Sequence, residues 1–279
     1  MMKIPRLLKN GIAMTGLAII LFYFLSVLVS LFWLPFDPVA MDSSRILEAP
    51  SFASGHLFGT DEFGRDILSR IMKGTSVSLI ISISATTMGA IIGIFMGIWA
   101  GFLGDRWDNL IMRIADILFS FPSLLLAIFV MAILGEKTYN VVIAIGIVYI
   151  PQFARISRGS ILVLKNNEFV RAARSNGAGD TYILFRHLLP NILAPIIVQI
   201  SLSLSVAILL ESSLSFLGLG VQPPAPSWGN MLSSARKVMM LAPWTAVYPG
   251  LAIVSLVLGF NLLGDGLRDV LDPRLRNVR

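Results

Sequence analysis

Two carboxylates fall in or beside the long apolar runs of this chain, Asp116 and Glu211. Ionisable groups in such runs are costly and are functional candidates by default. Glu211 lies near the outer end of its run and Asp116 near the inner start of another. Both read as interfacial groups, hydrogen-bonded or paired, and Arg113, one turn before Asp116, is the partner the spacing suggests. The alternative is a polar group in a translocation path or gate, where Glu211 would meet a substrate amine. The two acids sit at opposite ends of their segments, so they cannot form a general acid–base pair. The histidines are only His56 and His187, and cysteine is absent. That excludes disulfides, thiolate metal sites and a cysteine nucleophile, and leaves too few ligands for a multi-histidine metal centre. No lysine follows a glycine, so a phosphate-binding G-x-x-x-x-G-K-[ST] loop is missing, as are H-E-x-x-H and G-x-S-x-G. The expectation is a chain with no catalytic residue, no bound cofactor and no metal.

The most specific feature is a basic insert between two apolar segments, Glu168-Phe-Val-Arg-Ala-Ala-Arg-Ser-Asn-Gly177-Ala-Gly-Asp180 … His187-Leu-Leu-Pro190. It reads as a helical hairpin. Asn167 is an N-cap for a helix from Glu168, whose charge suits the helix dipole. Gly177 supplies a left-handed stop, Asp180 caps a second helix through Leu188, and Pro190 begins the next span. Phe169, Ala172, Ala173 and Asn176 share one face at i, i+3, i+4 and i+7. Two alanines there permit close approach by a soluble partner. The competing reading is a solvated hairpin.

The elements that must carry these residues follow from composition. The chain has 279 residues, 56% hydrophobic and 14% charged, with mean hydropathy +0.80. An average soluble domain carries about 25% charged residues, so an integral membrane protein is indicated. A spanning helix needs roughly 20 apolar residues. The candidates are Asn10–Phe36, Gly74–Gly104, Ile117–Gly135, Thr138–Ala154, Leu188–Leu210 and Val238–Gly264, the last interrupted by Pro243 and Pro249 so that about Val247–Leu263 remains usable. These spans predict an all-α protein with both termini on one side. Lys3, Arg6, Lys9, Arg106, Arg113, Arg155, Arg158, Lys165, Arg171, Arg174, Arg186, Arg268, Arg274, Arg276 and Arg279 fall on that side. Arg45, Arg65, Arg70, Lys73, Lys137, Arg236 and Lys237 fall on the other. The excess assigns the termini and the Glu168 hairpin to the cytoplasm. This also accounts for the net charge of +6 without a nucleic-acid partner. The basic start with its long apolar run reads as an uncleaved anchor.

The second span carries Ala85, Gly89, Gly93, Gly97 and Gly101 at a strict spacing of four, a smooth ridge for a closely packed helix. A pore-lining or sliding surface is the other reading. In the outer loop Gly59-Thr-Asp-Glu-Phe-Gly-Arg-Asp66, Asp61 reads as a cap, and Asp66–Met72 as a short interfacial helix. Docking of an outside protein there is the alternative. Between Glu211 and Gly229 a helix runs into glycines and then Pro223, Pro224 and Pro226, which must stop it. Trp228–Val238 then reads as a short re-entrant or surface helix anchored by Trp228.

The insert resembles the coupling loop of ABC-importer permeases, E-A-A, three residues, G, nine residues, I, one residue, L-P. Ala172, Ala173, Gly177, Leu189 and Pro190 match it. Arg171 stands at the first Glu, with Glu168 three residues earlier, and His187 stands at the Ile, a variant frequent in peptide-type permeases. The G-T-D-x-x-G-R-D run at Gly59–Asp66, the S-F-L-G-L-G-V-x-x-P run from Ser215 with Pro226-Ser-Trp-Gly229, and the closing L-G-D-x-L-R-D-x-L-D-P-R run at Leu263–Arg274 are similar to the C-type permeases of the dipeptide, oligopeptide and nickel importers. Together these marks cover the chain nearly end to end.

The resemblance implies a type I importer permease fold with six transmembrane helices. Residues 1–36 would hold the basic start and first span, 37–73 the outer loop, 74–264 a five-span core with the coupling loop at 164–190, and 265–279 a cytoplasmic tail. It implies a multi-pass protein of a bacterial or archaeal inner membrane, partnered by a second permease, two ATP-binding subunits that hold the ATP and Mg, and an extracytoplasmic solute-binding protein. The loop would dock in the ATPase cleft, and cargo would pass by alternating access. The cargo reads as a di- or oligopeptide, with nickel, a metal chelate or glutathione as the alternative. An ion channel or a membrane-embedded enzyme are the rivals from other classes.

Overall fold

The computed structural model describes residues 10–271, all helices and connecting loops apart from one isolated bridge between Thr60 and Asp66. Lys3, Arg6, Lys9 and the end of the closing motif from Asp272 onward lie outside the described residues. Helix α1 is Gly11–Phe32, α2 Ile67–Leu103, α3 Asp105–Phe119, α4 Ser123–Leu134, α5 Thr138–Leu164, α6 Glu168–Ser175, α7 Asp180–Phe216, α8 Trp228–Ala235 and α9 Trp244–Leu271. Five of these, α1, α2, α5, α7 and α9, are each long and apolar enough to cross a membrane.

The sixth span takes a form the hydropathy did not reveal. Ile117–Gly135 is not one helix. α3 and α4 meet at an elbow over Ser120–Pro122 and are bent by 93°. Pro122 stands as the cap residue immediately before α4, where its missing N–H costs nothing. α3 is strongly amphipathic, with Asp108 and Asp116 on it, and α4 has only 12 residues, about 18 Å at 1.5 Å per residue.

Further boundaries differ from expectation, among them that of α9, which runs from Trp244 to Leu271 with Pro249 inside it rather than interrupting it. The stretch Asp66–Met72 is not a separate interfacial helix but the N-cap and first turns of α2, with Ile67 and Ile71 buried. Asp66 is the α2 N-cap and accepts from the Ser69 N–H at 2.7 Å. α5 continues past Ala154 to Leu164, because Arg155 and Arg158 are neutralised by α3 rather than ending the helix. α7 does not restart at Pro190. It runs unbroken from Asp180, widening into a π-helical segment over Ile183–Leu188. There the Leu189 N–H reaches back five residues to the Leu184 carbonyl. A proline clashes with the carbonyl four residues before it. The wider turn just ahead of Pro190 is the local solution.

Packing runs laterally from α1 to α9, α9 to α7, α7 to α2 and α2 to α5, with α3 and α4 against α5. α2 and α5 form the closest pair, and the small-residue ridge explains it. Gly89 faces the Gly146 carbonyl and Tyr149 Cβ, each 2.7 Å from where a Cβ would stand. Gly93 faces Ile150 and Phe153, Gly97 faces Ala154 and Ser157, and Gly101 faces Ile161. The ridge partner is therefore in the same chain. A second core joins α1, α2, α8 and α9 around Tyr23, Ile67, Trp228, Leu256 and Phe260. Trp228 is wholly buried, its indole N–H 3.3 Å from the Ile71 carbonyl and its ring edge-on to Tyr23. It is a core residue and not an anchor at the membrane surface. Ser227 and Asn230 cap α8 reciprocally.

Candidate functional site

The hairpin is built from α6 and the first turns of α7. α6 starts at Glu168 after Asn167, whose side chain makes no capping bond, and Asp180 is the first helical residue of α7 and accepts from Arg174 at 3.2 Å. Gly177 has φ +80° between them, with open space around the position of a missing Cβ. One side of the hairpin is anchored. Val170, Ile183 and Leu188 are buried against Ile98 of α2, Ile161 of α5 and Ile192 and Ile196 of α7. The other side is open. Phe169, Ala172, Ala173, Asn176 and Gly177, with Tyr182 and His187, line a groove of about 620 Å³. Glu168 and Pro190 are exposed beside it, and Leu189 is half-buried against the anchoring core. So a groove floored by alanines is held on one end of α2, α5 and α7.

Glu211 is fully buried between α7 and α2. Its carboxylate accepts from the hydroxyls of Ser78 (2.8 Å), Ser215 (2.8 Å) and Ser212 (3.4 Å). Ser215 in turn accepts from the Val221 N–H at 3.2 Å, so the acid ties α2 and α7 to the loop that leads into α8. No ion pair involves it among the described residues. Replacing it by leucine leaves those hydroxyls without their acceptor, each a loss of about 1 kcal/mol or more. Glu211→Leu is expected to lower the melting midpoint of the detergent-solubilised protein well beyond Glu211→Gln, which retains an acceptor. Equal midpoints would show that the serine network carries no stability.

Asp116 pairs with Arg155 of α5 at 2.7 Å, not with Arg113, and it is largely exposed. Arg155 also lies over the Phe119 ring at 4.1 Å. A second bridge, from Arg158 Nε and Nη2 to the two carboxylate oxygens of Asp108 (2.5 and 2.6 Å), reinforces the α3–α5 contact. The helical turn favoured Arg113. The tertiary approach of α5 supplied a better-placed guanidinium.

An opening among the apolar helices holds neither Asp116 nor Glu211. It is a cavity of about 420 Å³ between the α3–α4 elbow, the middle of α5 and the middle of α7. Phe119, Phe121 and Ser123 come from the elbow, Tyr149 and Gln152 from α5, and Gln199, Ser203 and Val206 from α7. The sequence reading passed over Gln152 and Gln199. Their signal was there, an amide in each of two apolar runs, where polar side chains usually bind across helices.

In the outer loop, Asp61 closes the turn onto itself. It accepts from the Phe63 and Arg65 N–H groups and from Arg65 Nε at 2.7 Å. His56 sits 2.9 Å from Asp66 and stacks on Phe36. These polar groups are spent holding the loop to the start of α2.

Residues 93–277 match the family model described as binding-protein-dependent transport system inner membrane component. The chain belongs to this family. Among curated relatives, it is 49% identical over 251 residues to a glutathione transport system permease protein of Pectobacterium atrosepticum, covering 88% of this chain and 83% of that one. It is 46% identical to a dipeptide transport system permease protein of Alkalihalophilus pseudofirmus, over 98% of this chain and 89% of that one. It is 47% identical to a di/tripeptide transport system permease protein of Pseudomonas aeruginosa, over 93% and 88% respectively. An inward-facing MetNI methionine ABC transporter superposes with TM-score 0.59 at 18% identity, over 72% of this chain and 96% of that chain. That likeness establishes a shared fold. The family's inner-membrane placement agrees with the long apolar helices.

Proposed function

We propose that this chain is a permease subunit of an ATP-driven importer, one wall of a path for di- or oligopeptides that opens by alternating access. The observation that carries the reading is a continuous mechanical link. α7 contributes Ile183 and Leu188 to the hairpin anchor and, in the same unbroken helix, Gln199 and Ser203 to the cavity wall. A displacement at the groove is thus passed to the cavity through one continuous helix. The groove is the docking surface for an ATP-binding subunit, its alanines admitting a partner's side chains. A second permease, two ATP-binding subunits and an extracytoplasmic binding protein complete the assembly. The excess of Lys and Arg at the hairpin end supports a cytoplasmic position for that end and the termini.

The relatives named for dipeptides, di/tripeptides and glutathione support a peptide-like cargo. Glutathione is the second reading, favoured by the Pectobacterium relative. This chain then hydrolyses nothing and holds no cofactor. ATP and Mg belong to its partners.

The test uses the absence of native cysteine. Ala173→Cys in membranes is expected to crosslink to cysteines placed in the docking cleft of a co-expressed ATP-binding subunit, with a yield that changes on nucleotide binding. An assembled complex giving no crosslink removes the hairpin's role and reopens the channel and enzyme readings.

A further inference from the structure

We infer that Gln152 and Gln199 are the cargo-contacting residues of this subunit, and that they bind the amide groups of a peptide rather than its side chains. The inference rests on the importer reading above and specifies what the cavity recognises.

The first observation is the pattern of satisfied and open polar groups. The Tyr149 hydroxyl donates to the Ser203 carbonyl at 2.9 Å, so both are spent within the wall. Gln199 Nε2 donates to Ser203 Oγ at 3.1 Å, which leaves its carbonyl oxygen available. The Gln152 side chain makes no hydrogen bond to another described residue. A glutamine amide offers two donors and an acceptor. A peptide group offers one donor and one acceptor, whatever its side chains. Two amides on adjacent helices can therefore hold a peptide backbone without reading its sequence.

The second observation is charge. The lining contains no acidic or basic side chain. With no counter-charge in the wall, the charged ends of a peptide keep their water, and its neutral amide link is the group the glutamines can bind in place of water. The volume, about 420 Å³, lies within the ordinary range for small-ligand cavities of roughly 300–1,000 Å³.

The third observation is the elbow. Ser120, Phe121 and Pro122 are non-helical and exposed beside the cavity, between helices α3 and α4. Within a bilayer such backbone is tolerated only where it lines water or is covered by protein. The elbow thus marks this side of the helices as one that faces water or a partner subunit rather than lipid. Dipeptides and glutathione share the amide chemistry, so the two sources are separated in the experiment.

The test uses the complete reconstituted importer and two labelled probes, dialanine and glutathione. At saturating loaded binding protein, Gln152→Leu and Gln199→Leu are expected to lower transport per ATP hydrolysed by roughly five- to tenfold, the loss of about one good hydrogen bond. Stimulated ATPase activity is expected to persist, and Gln→Asn variants to recover part of the transport. A larger loss for one probe identifies it as the cargo the site fits. In a second arm, Ser123→Cys, exposed on the cavity wall at the start of α4, is labelled with a maleimide in a complex otherwise free of cysteine. Loaded binding protein plus ATP is expected to slow labelling. Unchanged transport per ATP in the double leucine variant, or labelling indifferent to cargo, overturns the assignment. If the leucine variants fail to assemble, the labelling arm decides. A wild-type complex that imports neither probe overturns the cargo reading itself, an outcome distinct from the failure of the two glutamines.

Discussion

Gly97→Leu is expected to abolish correct packing of α2 on α5. A Cβ at Gly97 meets the Ala154 carbonyl oxygen at less than van der Waals distance and Ser157 Cβ at 2.8 Å. The obstacle is backbone on one side and a short side chain on the other, so no rotamer change relieves it. The neighbouring ridge positions are equally close. Gly93 faces Phe153 Cβ at 2.7 Å, and Gly89 faces the Gly146 carbonyl at 2.7 Å. The helices cannot therefore pivot about a second loose point. Ordinary overpacking costs about 1–3 kcal/mol, and this site lies at the upper end or beyond, because the helix axes themselves must separate. Thermal melting in detergent is the measurement, with a midpoint lowered by many degrees or no folded protein recovered. Gly250→Leu is the control. Gly250 lies on α9 with nothing within 4 Å of its missing Cβ, and leucine is the better helix former. Its midpoint is expected to stay or rise. A Gly97→Leu protein melting with the wild type would show that the α2–α5 contact is not the close one described.

The second large effect concerns coupling rather than stability. Gly177→Val is expected to reduce uptake at least tenfold while ATP hydrolysis continues. At φ +80° a β-branched residue is disfavoured by more than the ~1–2 kcal/mol that left-handed backbone costs an ordinary side chain. The space around the position is open, so the penalty is conformational and not steric. The turn relaxes and α6 shifts relative to α7, which spoils the groove floored by Ala172 and Ala173 and leaves the buried anchor of Val170, Ile183 and Leu188 in place. Asparagine tolerates the left-handed region, so Gly177→Asn is expected to restore most of the uptake. Wild-type uptake in the valine variant would count against docking at this groove. Equal loss in the valine and asparagine variants would count against the turn as its cause.

These two glycines show how differently the features of this chain could be read. Gly177 was legible alone, since a positive-φ stop depends on the backbone of one residue and its neighbours. The ridge was legible as a ridge, because a spacing of four repeats along a single helix. Its partner was not, since Gly146, Ala154 and Ser157 lie far along the chain and only the folded bundle brings them there. The same division runs through the acids. That Glu211 is costly in an apolar run follows from its type. That Ser78, from another helix, shares its burden does not.

What the sequence determined by itself rests on interactions that are local or additive along the chain. Hydrophobic transfer sums residue by residue, so the long apolar helices were visible. Helix periodicity put Phe169, Ala172, Ala173 and Asn176 on one face. Motif spacing pointed to the family that the comparisons then showed. Tertiary structure alone decided the rest. It set the angle of the third span's elbow, where Asp116–Arg155 and Asp108–Arg158 bridge α3 to α5 in a geometry no hydropathy sum contains. It also gathered Gln152 and Gln199, 47 positions apart by their numbers, onto one cavity wall. Each of these outcomes depends on the distance and orientation of groups remote in sequence, and those are set only when the helices pack.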